Sequence, residues 1–331
     1  TINGFIDEIN VDFIERAEQI AELFGTFKNP DKETVLTPWR VVNLQVSKSV
    51  GGLNFYDDNF ESVTDGATSN LHWVSNEVTP SIYQRDTKIL DINSKTGLYP
   101  LHSAISLYYQ RVAENDDNRF EADQVYQEIL ANNIYAIAKT PMAKTITERT
   151  LTGYRKYKTN VTYIESLTDT LKIDIEQGKK LVEEAFNKVK FDVVIGNPPY
   201  QESDGGAQAS ASPIYHKFVE LAKTLNPNHI SLIMPSRWYT GGKGLDNFRA
   251  EMLSDVTIRD LYDFPNPDEV FPNTNIRGGV CVVHWDSDWN NQKDLTRVIT
   301  MEGGKVTAEV QRRLAEDGVD IFIRDYRILN I

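Results

Sequence analysis

Residues 191–200 read Phe-Asp-Val-Val-Ile-Gly-Asn-Pro-Pro-Tyr, an apolar run that ends in a loop of one amide, two prolines and one phenol. Each proline fixes φ at about −65° and donates no backbone N–H, and the residue before a proline is driven to extended geometry. The loop is therefore expected to be rigid, with carbonyl acceptors free of competing donors. Asn197 Oδ1 and the Pro198 backbone carbonyl can together accept both hydrogens of one exocyclic amine, and Tyr200 offers a flat face to a planar ring. An aromatic amine needs that help, because its lone pair is delocalised into its ring. Two acceptors polarise its N–H bonds and favour a geometry in which the lone pair meets an electrophile. Stacking on an aromatic side chain is worth roughly 1–3 kcal/mol per base. A carboxylate base is not required, because the amine loses its proton after alkylation.

The elements that must hold this loop follow from hydrophobic periodicity. An amphipathic helix is expected through Phe24, with Val11, Phe13, Ile14, Ala17, Ile20, Ala21 and Phe24 on one side, ended by Asn29-Pro30-Asp31. From Lys88 onward, short apolar strands alternate with helical patterns. Strands are expected at 88–92, 134–137, 161–164, 191–195, 230–234, 257–262 and 280–284. Helices are expected at 101–112, 120–130, 175–189, 214–225, 245–253 and 307–315, with an acidic loop from Glu114 to Asn118. The run 191–195 is almost continuously apolar, as a strand buried on both faces must be. Such alternation predicts an α/β fold: a mostly parallel seven-stranded sheet flanked by helices, Rossmann-like, with ligands at the carboxyl ends of its strands.

Downstream of the Asn-Pro-Pro-Tyr loop stand Ile233-Met234-Pro235-Ser236-Arg237-Trp238-Tyr239, then Gly241 to Arg249, then Val270-Phe271-Pro272-Asn273 and Ile276-Arg277-Gly278-Gly279-Val280. With the loop, these stretches resemble the N6-adenine-specific DNA methyltransferases of type II restriction–modification systems. The likeness is to gamma-like enzymes in which methylase and endonuclease can share one polypeptide, and it covers roughly residues 35 to 290. The resemblance implies the S-adenosylmethionine-dependent methyltransferase fold and methylation of an adenine flipped out of double-stranded DNA. It assigns Asn197, Pro198 and Tyr200 to catalysis and Phe271 to a second aromatic face for the base. Leu36-Thr37-Pro38-Trp39 resembles the family's Thr-Pro segment that closes over the cofactor.

The family's Asp-Pro-x-x-Gly-x-Gly cofactor loop has a departing counterpart in Asp91-Ile92-Asn93-Ser94-Lys95-Thr96-Gly97-Leu98-Tyr99. The acid and the last glycine remain, but Lys95 stands at the middle glycine. Cofactor contacts are expected from Thr37, Pro38, Asp91, Asn93, Lys95, Thr96 and Gly97, with Lys95 able either to pair with the cofactor carboxylate or to block the pocket. Ala138-Lys139-Thr140 replaces the family's ribose-binding acid, and Glu165 is the candidate for a nearby role at the adenine end.

The charge balance, 35 basic against 48 acidic residues, disfavours binding nucleic acid by net charge, so phosphate contacts must come from local patches or another segment. One such patch is 139–158, where Lys139, Lys144, Arg149, Arg155, Lys156 and Lys158 face the single acid Glu148. Its other reading is a solvated helix face. Gly241-Gly242-Lys243-Gly244 lacks the spacing of a P-loop and is expected to be a mobile loop near the target base. A single cysteine excludes an internal disulfide framework, and the five histidines show no metal-ligand spacing, so no metal is expected. Without a membrane span or signal pattern, a cytoplasmic protein is expected.

The expected organisation is an N-terminal helical segment over 1–34, a methyltransferase catalytic domain over 35–290, and a C-terminal extension over 291–331. That extension is expected to lead towards a target-recognition domain, with recognition and nuclease segments outside this chain. Two alternatives remain open. One is an RNA or protein amine methyltransferase; the other is a non-catalytic DNA-binding or assembly module with a degenerate cofactor pocket.

Overall fold

The computed structural model describes residues 13–27, 35–57, 70–113, 122–153, 155–201, 212–242, 244–272 and 274–330. Val11, Pro30-Asp31, the Glu114–Asn118 loop, Phe120, Lys243 and Asn273 lie outside the described residues.

A short antiparallel pair, β1 (Gly52–Asn54) and β2 (His72–Val74), precedes the main sheet. The main sheet contains β3 (Ile89–Ser94), β4 (Ile134–Ala138), β5 (Asn160–Tyr163), β6 (Val193–Gly196), β7 (His229–Pro235), β8 (Ile258–Phe264), β9 (Val280–Asp286), β10 (Thr296–Glu302) and β11 (Lys305–Arg312). Their spatial order is β11-β10-β8-β9-β7-β6-β3-β4-β5. The run from β5 to β8 is the expected seven-stranded, mostly parallel sheet, in which β9 alone is antiparallel to its neighbours β7 and β8. The sheet is wider than expected, because β10 pairs in parallel with β8 and β11 closes the edge antiparallel to β10.

Helices cover both faces, so every central strand is buried on two sides. On one face, Leu90, Ile92 and Val194 pack against helices Leu167–Ile173, Ile175–Ala185, Tyr215–Thr224 and Asp246–Ser254. On the other, Ile89, Val193 and Ile195 pack against helices Phe13–Gly25, Trp39–Ser49, Leu98–Ala113, Ala122–Asn132 and Pro141–Thr152. The alternation of consecutive strand residues between the two cores is the period-2 geometry of a strand.

The helix Pro141–Thr152 is bounded as its sequence requires. Thr140 Oγ1 accepts from Ala143 N at 3.0 Å, Pro141 occupies the first turn, and Gly153 ends the helix with φ 56°. Arg16 ties the first helix to that end, donating to Thr150 O at 2.8 Å and Leu151 O at 3.0 Å.

One expected helix is overturned. Residues 307–315 carry good helix formers, but 305–312 form the edge strand β11. Gly303 and Gly304, at φ 59° and 73°, make the two-residue turn that folds β11 back onto β10, with Glu302 opposite Lys305. Ladder pairing along β10 overrides local propensity there.

Chain order reverses between β3 and β6. From β3 the chain moves out to β4 and β5, then returns to place β6 on the other side of β3. The crevice at the carboxyl ends of β3 and β6 is the topological switch point, where ligands bind in open α/β sheets.

Candidate active site at the switch point

Asp91 pairs with Ile195 across the β3–β6 ladder, so the loops that follow the two strands emerge side by side. The β3–β4 ladder shifts register between Asp91 and Ser94, lifting Ile92 and Asn93 out of pairing. Such a bulge re-aims side chains at the end of a strand. Asn93 uses it to donate from Nδ2 to the Asn197 backbone oxygen at 2.8 Å. Lys95 Nζ donates to the same oxygen at 3.0 Å. Two donors, one from the end of β3 and one from the loop after it, therefore clamp the carbonyl of the residue that opens the loop after β6.

The Asn197 side chain is 1% exposed. Its Nδ2 donates to Thr37 Oγ1 at 3.0 Å, while its Oδ1 is buried without a hydrogen-bond partner. An unsatisfied buried acceptor is costly and calls for an explanation. Tyr200 is also buried, its hydroxyl unpaired, and burial raises its phenol well above the ordinary value. Phe271 is 1% exposed and meets the Tyr200 ring edge to face, with centroids 6.1 Å apart at 77°. It supports that ring from the side and does not face it across a slot.

Gly196 has φ 141°, and a Cβ there would sit 2.8 Å from Asp91 Oδ1. Glycine is required at this point for both conformation and space. Asp91 is fully enclosed, and burial pushes its carboxyl up to about 6, outweighing the Ser94 and Asn93 hydrogen bonds and the Lys95 charge. Gly97, at φ 82°, also permits a close approach, and helix Pro141–Thr152 makes it: a Cβ would lie 3.0 Å from Thr147 Cα. Thr150 Oγ1 donates to Thr96 O at 2.6 Å and Ser94 Oγ lies 3.0 Å from Thr147 Oγ1, so that helix pins the loop.

The structure thus brings together Thr37, Asp91, Asn93, Lys95 and Asn197, with Tyr200 and Phe271 beside them. Pro38 sits half-buried at the start of helix Trp39–Ser49, and Glu165 is exposed beyond β5, three strands from β6 along the sheet. Sequence reasoning missed Gln45 and the role of Tyr99. The Tyr99 hydroxyl donates to Gln45 Oε1, and Gln45 Nε2 donates to Gly196 O at 3.2 Å and Ser231 O at 2.8 Å. The signal was the run Asn43, Gln45, Ser47, Ser49, polar residues that are all buried on one helix.

Next to this site, beyond the carboxyl end of β7, lies a cleft of about 820 Å³. Ser236, Arg237, Gly241, Gly242, Arg277 and Arg324 contribute to its lining. Arg237 and Arg277 are exposed, with no ion pair to another described residue. Arg324 is engaged by the buried carboxylate of Asp263 at 2.7 Å. The basic segment 139–158 is partly used internally: Lys144 lies 3.9 Å from Glu148, and Arg155 sits over the Phe13 ring at 5.8 Å.

Residues 132–271 match the family model of the Eco57I restriction-modification methylases. The match begins just before β4 and ends at Phe271, enclosing the Asn197 loop. An uncharacterized adenine-specific methylase of Mycoplasma pneumoniae is 26% identical over 163 residues, 46% of this chain and 39% of that protein. Among solved structures, a nuclease-deletion mutant of the Type ISP restriction-modification enzyme LlaGI, in complex with a DNA substrate mimic, aligns with TM-score 0.55 at 14% identity. That alignment covers 95% of this chain and 29% of that one. The modification subunit of a putative type I restriction enzyme from Vibrio vulnificus aligns with TM-score 0.52 at 14% identity, over 94% of this chain and 53% of that one. At such identity these structures share the fold with this chain. The chain spans well under two thirds of each of these relatives.

Proposed function

We propose that this protein transfers a methyl group from S-adenosylmethionine to the N6 amino group of adenine in DNA, as the methylase part of a restriction–modification system. The observation that carries the reading is Asn197 Oδ1, a buried acceptor with no partner, held at the switch point beside the Tyr200 ring. The Eco57I methylase match and the adenine-specific methylase relative support the same reaction.

The donor set suits the methionine end of the cofactor. Asp91 is a buried carboxylate fit for a cationic partner, and Lys95 an ammonium fit for a carboxylate. Thr37, Pro38, Asn93, Thr96 and Gly97 frame that end, and Glu165 is assigned to the adenine end. The bound cofactor supplies the electrophilic methyl group. Asn197 Oδ1 and the Pro198 carbonyl accept the two hydrogens of the amine, orienting its lone pair. Tyr200 stacks on the flipped base and Phe271 holds the Tyr200 ring in place. Extruding the base costs a few kcal/mol, which phosphate contacts at Arg237 and Arg277 help to offset. The order of Thr-Pro segment, cofactor loop and catalytic loop supports a gamma-ordered type II enzyme, with recognition and nuclease segments outside this chain and a cytoplasmic site of action. Among the described residues, no helix is long and apolar enough to cross a membrane.

The test is methyl incorporation into duplex DNA, structured RNA and a glutamine-containing peptide by the full-length protein and its Asn197→Ala variant. Adenine methylation in duplex DNA that falls roughly 100-fold or more in the variant is expected, by analogy with loss of one preorganised hydrogen-bonding group. Equal rates in the two proteins, or methylation of RNA or peptide alone, would overturn the proposal.

A further inference from the structure

After β11 the chain returns to the carboxyl end of β7. There Phe322 N donates to Tyr239 O at 2.8 Å, and the two rings lie 4.6 Å apart. Arg249 Nε donates to Asp320 O at 2.9 Å, and Arg312 Nη1 donates to Ile323 O at 2.8 Å. Residues 320–323 are thereby tied to the helix Asp246–Ser254, to the segment after β7 and to the end of β11. Arg324 is the next residue.

Arg324 reaches over the Tyr239 ring, 5.2 Å from its centroid. Its Nε lies 2.7 Å from Asp263 Oδ2. Its Nη2 lies 3.0 Å from Asp263 Oδ1, 3.0 Å from Ser236 Oγ and 2.8 Å from Gly278 O. A planar guanidinium can serve several acceptors at once, which a point charge such as lysine cannot do in a fixed fork. Ser236 completes the junction: its Oγ donates to Gly278 O at 2.8 Å and its N to Gly279 O at 3.1 Å. Asp263 is 1% exposed and Ser236 2%. One side chain from the C-terminal extension therefore ties together the end of β8, the segment after β7 and the segment before β9. The junction is tight. A Cβ on Gly279 would lie 2.6 Å from Phe264 O, 2.9 Å from Ser236 Oγ and 3.0 Å from Arg324 Nη2.

The residues that Arg324 holds are the chain neighbours of two exposed arginines. Ser236 precedes Arg237, and Gly278 follows Arg277. The two segments also touch, since a Cβ on Gly278 would lie 3.7 Å from Arg237 Cα. The charge of Arg324 is met by Asp263, so it adds structure to this face more than net charge. A backbone fixed in advance loses less freedom when its side chains bind, and the difference appears as affinity.

We propose that Arg324 is a positioning residue for DNA: it braces the segments that carry Arg237 and Arg277, so that both meet phosphates from a fixed backbone. The inference rests on the reading of those two arginines as phosphate contacts. It gives the C-terminal extension a part in DNA binding through its grip on the catalytic core.

The test is the affinity of the full-length protein for a random-sequence duplex, read by fluorescence anisotropy. Phosphate contacts carry no sequence information, so such a duplex reports them. Arg324→Gln is expected to weaken binding about tenfold, equivalent to about 1.4 kcal/mol. In an Arg237→Ala/Arg277→Ala background the same substitution is expected to cost less than about twofold, because the groups it positions are gone. An equal loss in both backgrounds would show that Arg324 touches phosphate itself, and would overturn the inference. Burial raises the Asp263 carboxyl above its ordinary value in spite of the adjoining guanidinium, so Asp263→Asn is compared at about pH 8. That variant keeps every arginine and removes a negative charge. Charge alone predicts tighter binding; loss of the brace predicts weaker binding, and unchanged or tighter binding counts against the proposal. Calorimetric affinity for S-adenosylmethionine is expected to stay within about twofold of wild type in both variants, which checks their fold. Ser236→Ala removes a single hydroxyl and carries the test where either variant fails to fold. It is expected to weaken binding in the wild-type background and not in the double variant, and an equal loss in both again overturns the inference. Wild-type affinity in Arg237→Ala/Arg277→Ala would remove the phosphate reading and the inference with it. A protein that shows the expected binding pattern but methylates no DNA would fail the methyltransferase reading and leave the inference standing.

Discussion

Lys95 Nζ donates to the backbone oxygen of Asn197 at 3.0 Å, joining the loop after β3 to the loop after β6. Lys95 carries a buried ammonium, and that ammonium holds the loop that opens with Asn197. Burying a lysine is expensive unless its charge is met by hydrogen bonds or an opposite charge. The Asn197 carbonyl meets one donor, and the ammonium charge also acts on the buried Asp91 carboxyl.

Lys95→Met is therefore expected to weaken S-adenosylmethionine binding roughly 10-fold or more, the worth of a hydrogen bond to a charged group, and to lower the methylation rate as well. Calorimetry and single-turnover rates measured on the same variant check both effects. A variant that binds the cofactor more tightly than wild type would mean that Lys95 obstructs the pocket.

Tyr200 carries a buried hydroxyl with no partner, so its ring is the part in use. Tyr200→Phe is expected to keep methylation within a few-fold. Tyr200→Ala should lose roughly 1–3 kcal/mol of stacking, seen as a weaker affinity for duplex DNA carrying an abasic or mismatched target. Equal activity of the two variants would remove Tyr200 from base recognition.

Asp91 predicts a pH dependence whose sign can be worked out. Its folded value of about 6 lies above the ordinary 3.8, so the folded chain retains a proton that the unfolded chain has released. From about pH 4 to 6, that group makes stability fall as pH rises, by up to about 3 kcal/mol once both states are ionised. His102 and His229 act in the opposite sense, since burial holds each near 4, and the stability they contribute is lost as pH falls below 6.5. A difference measurement isolates Asp91: thermal melts should show Asp91→Asn gaining on wild type between pH 4.5 and pH 7.5, while cofactor affinity falls.

Gly97 has φ 82° and lies against Thr147 and Thr150. Gly97→Ala adds a Cβ in a conformation that L-residues disfavour and pushes it into a helix backbone. A loss of roughly 1–3 kcal/mol in chemical denaturation is expected. Thr150→Ser, which keeps the bond to Thr96 O, should lose far less.

Arg237 and Arg277 are exposed beside the cleft at the end of β7. If each meets one phosphate, replacing either by alanine should weaken DNA binding and flatten the slope of log affinity against log salt by about 0.9. A parallel loss at all salt concentrations would show contacts of another kind.

Much of this architecture was legible in the residues themselves. The apolar run Phe191 to Ile195 announces a strand buried on both faces, and β6 occupies Val193–Gly196 within the central ladder. Thr140-Pro141 and Gly153 bracket a helix by capping chemistry alone. The edge strand β11 was not legible from its own residues, because its conformation is decided by the partner β10 and the Gly303-Gly304 turn.

The sequence by itself determined the Asn-Pro-Pro-Tyr loop, its rigidity, and the α/β alternation that places it at a strand end. Those are consequences of proline geometry and of hydrophobic period, which act over a few residues. Only the tertiary structure decided which end of the Asn197 amide is free, where Lys95 points, and what fills the space above Gly97. Asn197 meets Thr37 from 160 positions away, Lys95 from 102, and Gln45 reaches Gly196 across 151. Hydrogen-bond direction at such separations is set by which buried donors and acceptors the folded chain brings face to face, and local residue preference carries no record of it.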